Sequence, residues 1–286
     1  MSTKIEWCDE TINPIQDKYK GKSGRGYHCT KVSPGCQNCY AESINRRFGN
    51  GLPFDGRKAE FELIQSELEK PLKWKKPKRI FVQSMGDLFH EDVPVNFLES
   101  VLATITNCPQ HTFIILTKRA ERLNLLTTDR LRISRTDTWP IKNLWLGVTV
   151  ENDKERHRID TLRSIPAAVR FVSFEPLLSA IGNIRLVGIH WAIVGGESGP
   201  GARPIHPNWV RSLRDQCQAS GTPFFFKQHG EYIHESELFE MDNLARELDA
   251  ASAESDSDGF YKVGKKAAGR LLDGKEWSEY PNQPGS

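Results

Sequence analysis

From Ile80 onward, short unbroken apolar runs alternate with stretches whose apolar residues recur every third or fourth position. Ile80-Phe81-Val82 leads directly into the polar exit Ser84-Met85-Gly86-Asp87, the pattern of a buried strand and its loop. Behind Pro94, the residues Phe97, Leu98, Val101, Leu102 and Ile105 share one face of a helix predicted from Val95 to Cys108. The same rhythm then repeats. A strand is predicted at Thr112–Thr117, a helix to about Leu126, a strand at Leu144–Val150 and a helix from an Asn152 cap through Ile165. Further strands are expected at Val169–Phe174, His190–Val194 and Pro223–Gln228, with a helix from Pro207 to Ser220 that stops at Gly221.

Several of these strands are apolar on both faces, which predicts parallel strands joined by right-handed crossovers. With a first strand expected around Arg25 to His28, the fold class is α/β: a complete or partial (β/α) barrel of about six to seven parallel strands. A doubly wound open sheet is the alternative. The barrel is expected over residues 1–230, and residues 231–286 form an acidic loop and a C-terminal extension packing on it. Before the rhythm begins, the chain is polar. Lys18 to Gly26 reads as a flexible insertion and Ala41 to Phe48 as a short helix. Lys70 to Arg79 carries six basic residues and Trp74, either a phosphate-binding edge with an aromatic platform or a solvated connector.

Charge adds little to this picture. The 39 basic and 37 acidic residues nearly cancel, so no global field advertises nucleic acid. Met1 to Cys8 carries no apolar run and no window has transmembrane length, which predicts a soluble cytoplasmic protein without a membrane partner. The cysteines change more. Cys8, Cys108 and Cys217 are scattered, but Cys29, Cys36 and Cys39 are spaced C-x6-C-x2-C on a segment broken by Pro34 and Gly35. Such a loop lets three thiolates converge on a metal or an iron–sulfur cluster. A closed zinc site needs four ligands, whereas a four-iron cluster on three cysteines keeps one iron open.

In a parallel barrel, chemistry gathers at the carboxyl ends of the strands. The exits here are polar: Ser84 to Asp87, Thr117-Lys118-Arg119, Thr149-Val150-Glu151, Ser173-Phe174-Glu175-Pro176, Gly195-Gly196-Glu197-Ser198 and Lys227-Gln228. The glycines after Val194 allow close backbone approach to a ligand, read as a nucleoside, or simply form a tight turn. They lack the spacing of a phosphate loop.

Asn13-Pro14 followed by Gly35-Cys36-Gln37-Asn38-Cys39-Tyr40-Ala41 resembles the cluster loop of radical S-adenosylmethionine enzymes of the spore-photoproduct-lyase-like kind. Their usual spacing is C-x3-C-x2-C with an aromatic before the last cysteine; here the first gap is six and the aromatic, Tyr40, follows. Lys4–Trp7, Cys29–Ala41, Phe81–Asp92, Val169–Leu178, Ile193–Arg203, Phe224–Gln228 and Gly264–Gly274 also resemble a phage- and prophage-encoded family. That family has a three-cysteine motif and no assigned activity. The first resemblance implies a [4Fe-4S] cluster on Cys29, Cys36 and Cys39, S-adenosylmethionine as second cofactor, and a reductant protein. It implies that Ser84 and Asp87 stand where the cofactor's amino group binds, and that Lys118 or Arg119 meets its carboxylate. Thr149 or Glu151 would meet the ribose, and Gly195 and Gly196 the adenine. Glu175, Glu197 and Lys227 remain as catalytic groups for a substrate, a nucleotide or nucleic acid if phage context is a guide. Two other classes stay open: a zinc protein that binds or hydrolyses nucleic acid, with Cys8 or His28 as fourth ligand, and a non-enzymatic phage accessory protein.

Overall fold

The computed structural model describes residues 5–128, 139–238 and 255–282. Two strands open it, β1 (Glu10–Ile12) and β2 (Ile15–Asp17), followed by α1 (Tyr40–Phe48) and β3 (Phe61–Leu63), which pairs antiparallel with β2. Then come β4 (Arg79–Val82), α2 (Val95–Thr106), β5 (Thr112–Thr117), α3 (Ala120–Thr128), β6 (Leu144–Thr149) and β7 (Val169–Phe174). The regular part ends with β8 (Trp191–Gly195), α4 (Pro207–Ser220) and β9 (Phe224–Gln228). Seven strands form one sheet in the order β1-β4-β5-β6-β7-β8-β9, with parallel pairing. Each strand of β4 to β9 thus neighbours the next in sequence, the topology of a partial (β/α) barrel.

The first strand is not where the sequence suggested. Arg25–His28 is irregular, and β1 takes the place beside β4, with Ile12 opposite Val82. Gly26 explains the difference. Its carbonyl accepts from Asp17 N–H at 2.9 Å, and a Cβ there would lie 2.1 Å from the Tyr19 carbonyl oxygen. The segment is pinned across a loop instead of paired in a sheet. The expected insertion at Lys18–Gly26 is therefore a closed loop, tied further by Asn50, whose amide donates to Tyr19 O at 3.1 Å.

The chain packs as two compact units, residues 1–149 with 158–171, and residues 150–157 with 172–283. In the first, β4, β5 and β6 are almost wholly buried, and Leu98, Leu102 and Leu123 of α2 and α3 pack with Ile115, Leu144 and Leu146. Gly147 lies in the middle of β6 because the Phe171 ring occupies the space of a side chain; a Cβ would sit 2.3 Å from its Cζ. The Lys70–Arg79 segment also belongs to this unit. Lys70, Lys73 and Lys78 bond Glu67, Glu69 and Glu10, at 2.5, 3.2 and 2.7 Å. Trp74 stands edge-on to His111.

In the second unit, α4 buries Val210, Leu213 and Cys217 and ends at Gly221, whose φ of 69° suits a residue without Cβ. The C-terminal residues cover β9. Phe226 N–H donates to Trp277 O, Phe225 bridges Ser278 antiparallel, and Trp191 Nε1 donates to Glu279 O at 2.8 Å. An edge that would otherwise expose unpaired backbone is thereby paired. Most of the acidic stretch singled out in the sequence, 239–254, lies outside the described residues. No helix among the described residues is long and apolar enough to cross a membrane.

Gly147→Ala should destabilise the protein by about 1–3 kcal/mol in urea unfolding, the usual range for overpacking. Adding Phe171→Leu should recover part of that loss. An unchanged midpoint for Gly147→Ala would mean that the ring yields without cost.

Candidate functional site at the cysteine loop

Pro34 and Gly35 turn the cysteine segment through a single 3-10 turn, Pro34–Cys36, closed by Cys36 N–H to Ser33 O at 2.9 Å. Cys39 is the N-cap residue of α1, where the nearby backbone N–H groups of Ala41 and Glu42 favour its thiolate. Cys29 and Cys39 both pack against the buried cluster of Ala41, Phe54 and Met85. Burial pushes the Cys29 thiol up to about 12, helped by the Asp87 carboxylate and opposed by Arg119. Burial raises Cys39 as well, against the pull of its two helix-start N–H groups.

Arg119, at the exit of β5, reaches this loop. Its Nη1 lies 3.8 Å from Cys29 Sγ and 3.0 Å from Asp87 Oδ2. Nε bonds both Glu91 oxygens, at 2.9 and 3.0 Å, and Nη2 donates to Thr30 Oγ1 at 2.6 Å and Thr30 O at 3.4 Å. All five N–H donors of the guanidinium therefore have acceptors within the chain. Burial alone would lower its pKa, but Asp87, Cys29 and Glu91 outweigh that and raise it. Asp87 is equally engaged. It accepts from Thr117 Oγ1 at 2.7 Å, Phe89 N–H at 2.9 Å and Lys118 N–H at 3.2 Å.

His90 completes the network. Its Nδ1 accepts from Asp92 N–H at 3.1 Å, so Nε2 carries the proton and donates to Thr30 Oγ1 at 3.2 Å. The exit of β4 is fixed from the other side. Gln83 takes a left-handed φ of 64°, and its amide both donates to and accepts from the backbone of Ile15, at 2.7 and 3.1 Å. Two buried hydrogen bonds offset the strain of that conformation. Asn13 Oδ1 accepts from Met85 N–H at 2.9 Å and Ser84 Oγ at 3.3 Å, and Tyr40 Oη donates to Ser84 O at 2.5 Å. The Asn-Pro pair and the tyrosine after Cys39 thus brace the Ser84–Asp87 loop.

Of the residues predicted from sequence, Cys29, Cys36, Cys39, Ser84, Asp87, Lys118 and Arg119 come together in the first unit. Thr149 ends β6 in the same unit, buried, with its carbonyl accepting from Arg158 at 2.9 Å. The remainder stand in the second unit. Lys227 pairs with Glu175 at the ends of β9 and β7, and the flat backbone of Gly195 lies against both, 3.4 Å from a would-be Cβ to each. Glu197 holds Arg203 through Nε at 2.8 Å and Nη2 at 2.6 Å, which raises the arginine pKa. Glu151 is fully buried, and Arg203 feels its charge. Gly196 has a packing reason: a Cβ would lie 1.9 Å from His229 O.

Sequence reasoning missed Thr30, Gln83, His90, Glu91 and Arg203. The run Asp87-Leu-Phe-His90-Glu91-Asp92 offered one signal, since so much acid beside a buried strand needs a cation.

A cation or cluster is the natural complement of three cysteines, and the residues fit a cluster in kind. Three thiols on one loop lie beside Arg119 and Lys118, whose positive charges favour an anionic thiolate–iron assembly. Tetrahedral zinc draws its sulfurs to roughly 3.8 Å of one another, given Zn–S bonds near 2.3 Å. Among the described residues, no group of three or more His, Cys, Asp or Glu side chains is arranged to hold a metal ion. Of the fourth ligands considered from the sequence, His28 adjoins Cys29 in the chain and is buried with neither ring nitrogen hydrogen-bonded among the described residues. Cys8 precedes β1 at the amino edge of the sheet, next to the Asp9–Arg79 pair. His28 turns to Phe54, Phe61 and His90, among the charges of Arg57, Asp17 and Asp55.

Comparison with known families gives one match, covering residues 2–281, to a family described as protein of unknown function (DUF5131). The chain belongs to that family. No curated protein and no solved structure matches it.

Asp87→Ala would leave the buried Arg119 with Glu91 as its remaining carboxylate and should cost about 3–5 kcal/mol in denaturant unfolding. Glu91 is 60% exposed, so Glu91→Gln should cost under about 1 kcal/mol. Equal losses would show that Arg119 is held by the two carboxylates alike.

Proposed function

We propose that this protein is a radical S-adenosylmethionine enzyme whose cluster-binding residues are Cys29, Cys36 and Cys39. One observation carries the reading: three cysteines of one loop, Cys36 buried and Cys29 and Cys39 partly buried, lie against a saturated Arg119–Asp87 network at the exits of two parallel strands. When bound, a [4Fe-4S] cluster with one open iron supplies the electron that cleaves the sulfonium and yields a hydrogen-abstracting radical.

The chain's own groups prepare that chemistry. Cys29 and Cys39 are protonated without a ligand, so each must release a proton as it takes iron. Arg119 favours that loss at Cys29 by Coulomb attraction, and the α1 N–H groups do so at Cys39. We assign the cofactor's carboxylate to Lys118, the cation whose charge acts on Cys39. Asp87 is then a positioning residue that keeps Arg119 against the loop. Thr149 is the first unit's candidate for the ribose. Within the second unit, the Glu175–Lys227 and Glu197–Arg203 pairs are the groups proposed for a polar substrate such as a nucleobase. The Lys70–Arg79 segment argues against a long nucleic-acid track, since Lys70, Lys73 and Lys78 already have carboxylate partners.

Anaerobic reconstitution with iron and sulfide should give a brown protein with about four irons per chain. Cys29→Ala, Cys36→Ala and Cys39→Ala should each abolish it, whereas Cys8→Ala, Cys108→Ala and Cys217→Ala should not. Dithionite and S-adenosylmethionine should then yield 5′-deoxyadenosine. Lys118→Ala should weaken cofactor binding by about 1.5–3 kcal/mol, the value of one charge-assisted contact, with the cluster spectrum unchanged. A colourless protein holding one zinc would refute the proposal.

A further inference from the structure

Lys227 reaches Glu175 across an intervening strand, and two local departures from a regular sheet allow it. Val194 of β8 stands opposite Phe226 of β9, but the next residue, Gly195, stands opposite Gln228. Lys227 is therefore the extra residue of a β-bulge, a device that re-aims a side chain. Its ammonium donates to Oε1 of Glu175, which follows β7 on the far side of β8. Gly195 lies between the two. A Cβ there would meet the side chains of both at 3.4 Å, so its absence leaves bare backbone between the charges.

A hydroxyl completes the group. Ser173 precedes Glu175 by two residues along β7 and so shares its face of the sheet. Ser173 is 1% exposed, and its Oγ has no hydrogen-bond partner among the described residues. A lone buried hydroxyl is a cost that a mere staple between β7 and β9 would not need. The side chains of Glu175 and Lys227 are 19% and 14% exposed, so a small molecule can reach the pair. One that parts the two charges leaves each short of a partner. Ser173 can then donate to the carboxylate or accept from the ammonium.

The pair also selects its ligand. An ionised carboxylate only accepts and an ammonium only donates, so the ligand must offer a donor beside an acceptor. A net anion is repelled by Glu175 and a net cation by Lys227. The bare peptide at Gly195 admits a flat ring that a side chain would hold off. We propose that Glu175, Lys227 and Ser173 form a binding site for a neutral, planar ring lactam. Its N–H donates to Glu175, its C=O accepts from Lys227, and its ring lies over Gly195. This rests on the reading above only in taking the pair as a substrate site. The group lies wholly within the second unit and needs no metal.

The test is ligand-observed NMR on the metal-free full chain. The probes are 2-pyridone, a planar lactam, N-methyl-2-pyridone, which lacks the N–H, and glycine, a zwitterion. 2-Pyridone should bind about fivefold more tightly than either, the worth of one hydrogen bond. Lys227→Met and Glu175→Gln should each weaken it by about fivefold or more. Both variants also break the ion pair, so Ser173→Ala separates binding from structure. It removes a hydroxyl that has no partner in the free chain, so the urea midpoint should hold or rise while 2-pyridone affinity falls about threefold. No binding of 2-pyridone, equal binding of the two pyridones, or unchanged affinity in any of the three variants would overturn the proposal and leave the pair as a staple. A preference for glycine would overturn it in favour of a zwitterion. Iron uptake at the cysteine loop is scored separately: a chain that binds 2-pyridone but takes up no iron would sink the cluster reading alone.

Discussion

The buried ion pair between Arg119 and Asp87 is the constraint on which the rest of the first unit depends. Two charges with side chains only 5% and 8% exposed are costly to remove from water unless each is fully hydrogen-bonded. Both are. Asp87 gathers Thr117, Lys118 and Phe89, and Arg119 gathers Glu91, Thr30 and Cys29. Because Asp87 follows β4, Arg119 follows β5 and Thr30 belongs to the cysteine loop, one network fixes three segments far apart in sequence. An apolar replacement could fill the same volume, but it could not dictate where a cysteine loop sits. The pair is better understood as setting position than as adding stability.

Much of the sheet was legible because its strands obey one simple rule. Runs such as Phe113–Ile115 and Ile193–Val194 are buried on both faces, so apolar continuity alone marks them. The first strand escaped because β1 is three residues long and includes Glu10, which faces Lys78. Arg25–His28 looked as good by composition, and only the close approach of Gly26 to Tyr19 excludes it. Strand order followed from parallel pairing, whereas the tail's cover over β9 depends on single backbone bonds from Trp277 and Glu279 that no periodicity announces.

The site was half legible for a related reason. Residue type and spacing mark Cys29, Cys36 and Cys39, and position after a strand marks Asp87 and Lys118. What sequence cannot express is saturation. Arg119 looked like a ligand-binding cation, yet its donors are all engaged within the chain, and only the geometry of Thr30, Glu91 and Asp87 reveals it. Gly196 is a similar case. A glycine doublet after an apolar strand suggests a ligand against the backbone, but the His229 carbonyl stands where a Cβ would be.

The thiols supply the last step. Burial holds Cys29 and Cys39 protonated at neutral pH, and a protonated thiol is a poor nucleophile and a poor ligand. Arg119 and the start of α1 oppose burial at the same two sulfurs, so the cost of forming thiolates is reduced without being removed. An incoming group must supply the remainder through its own positive charge and more than one bond. Burial and nearby cations thus pull the thiols of Cys29 and Cys39 in opposite directions. The pull at Cys29 would be lost if Arg119 were neutralised, even with all three cysteines in place.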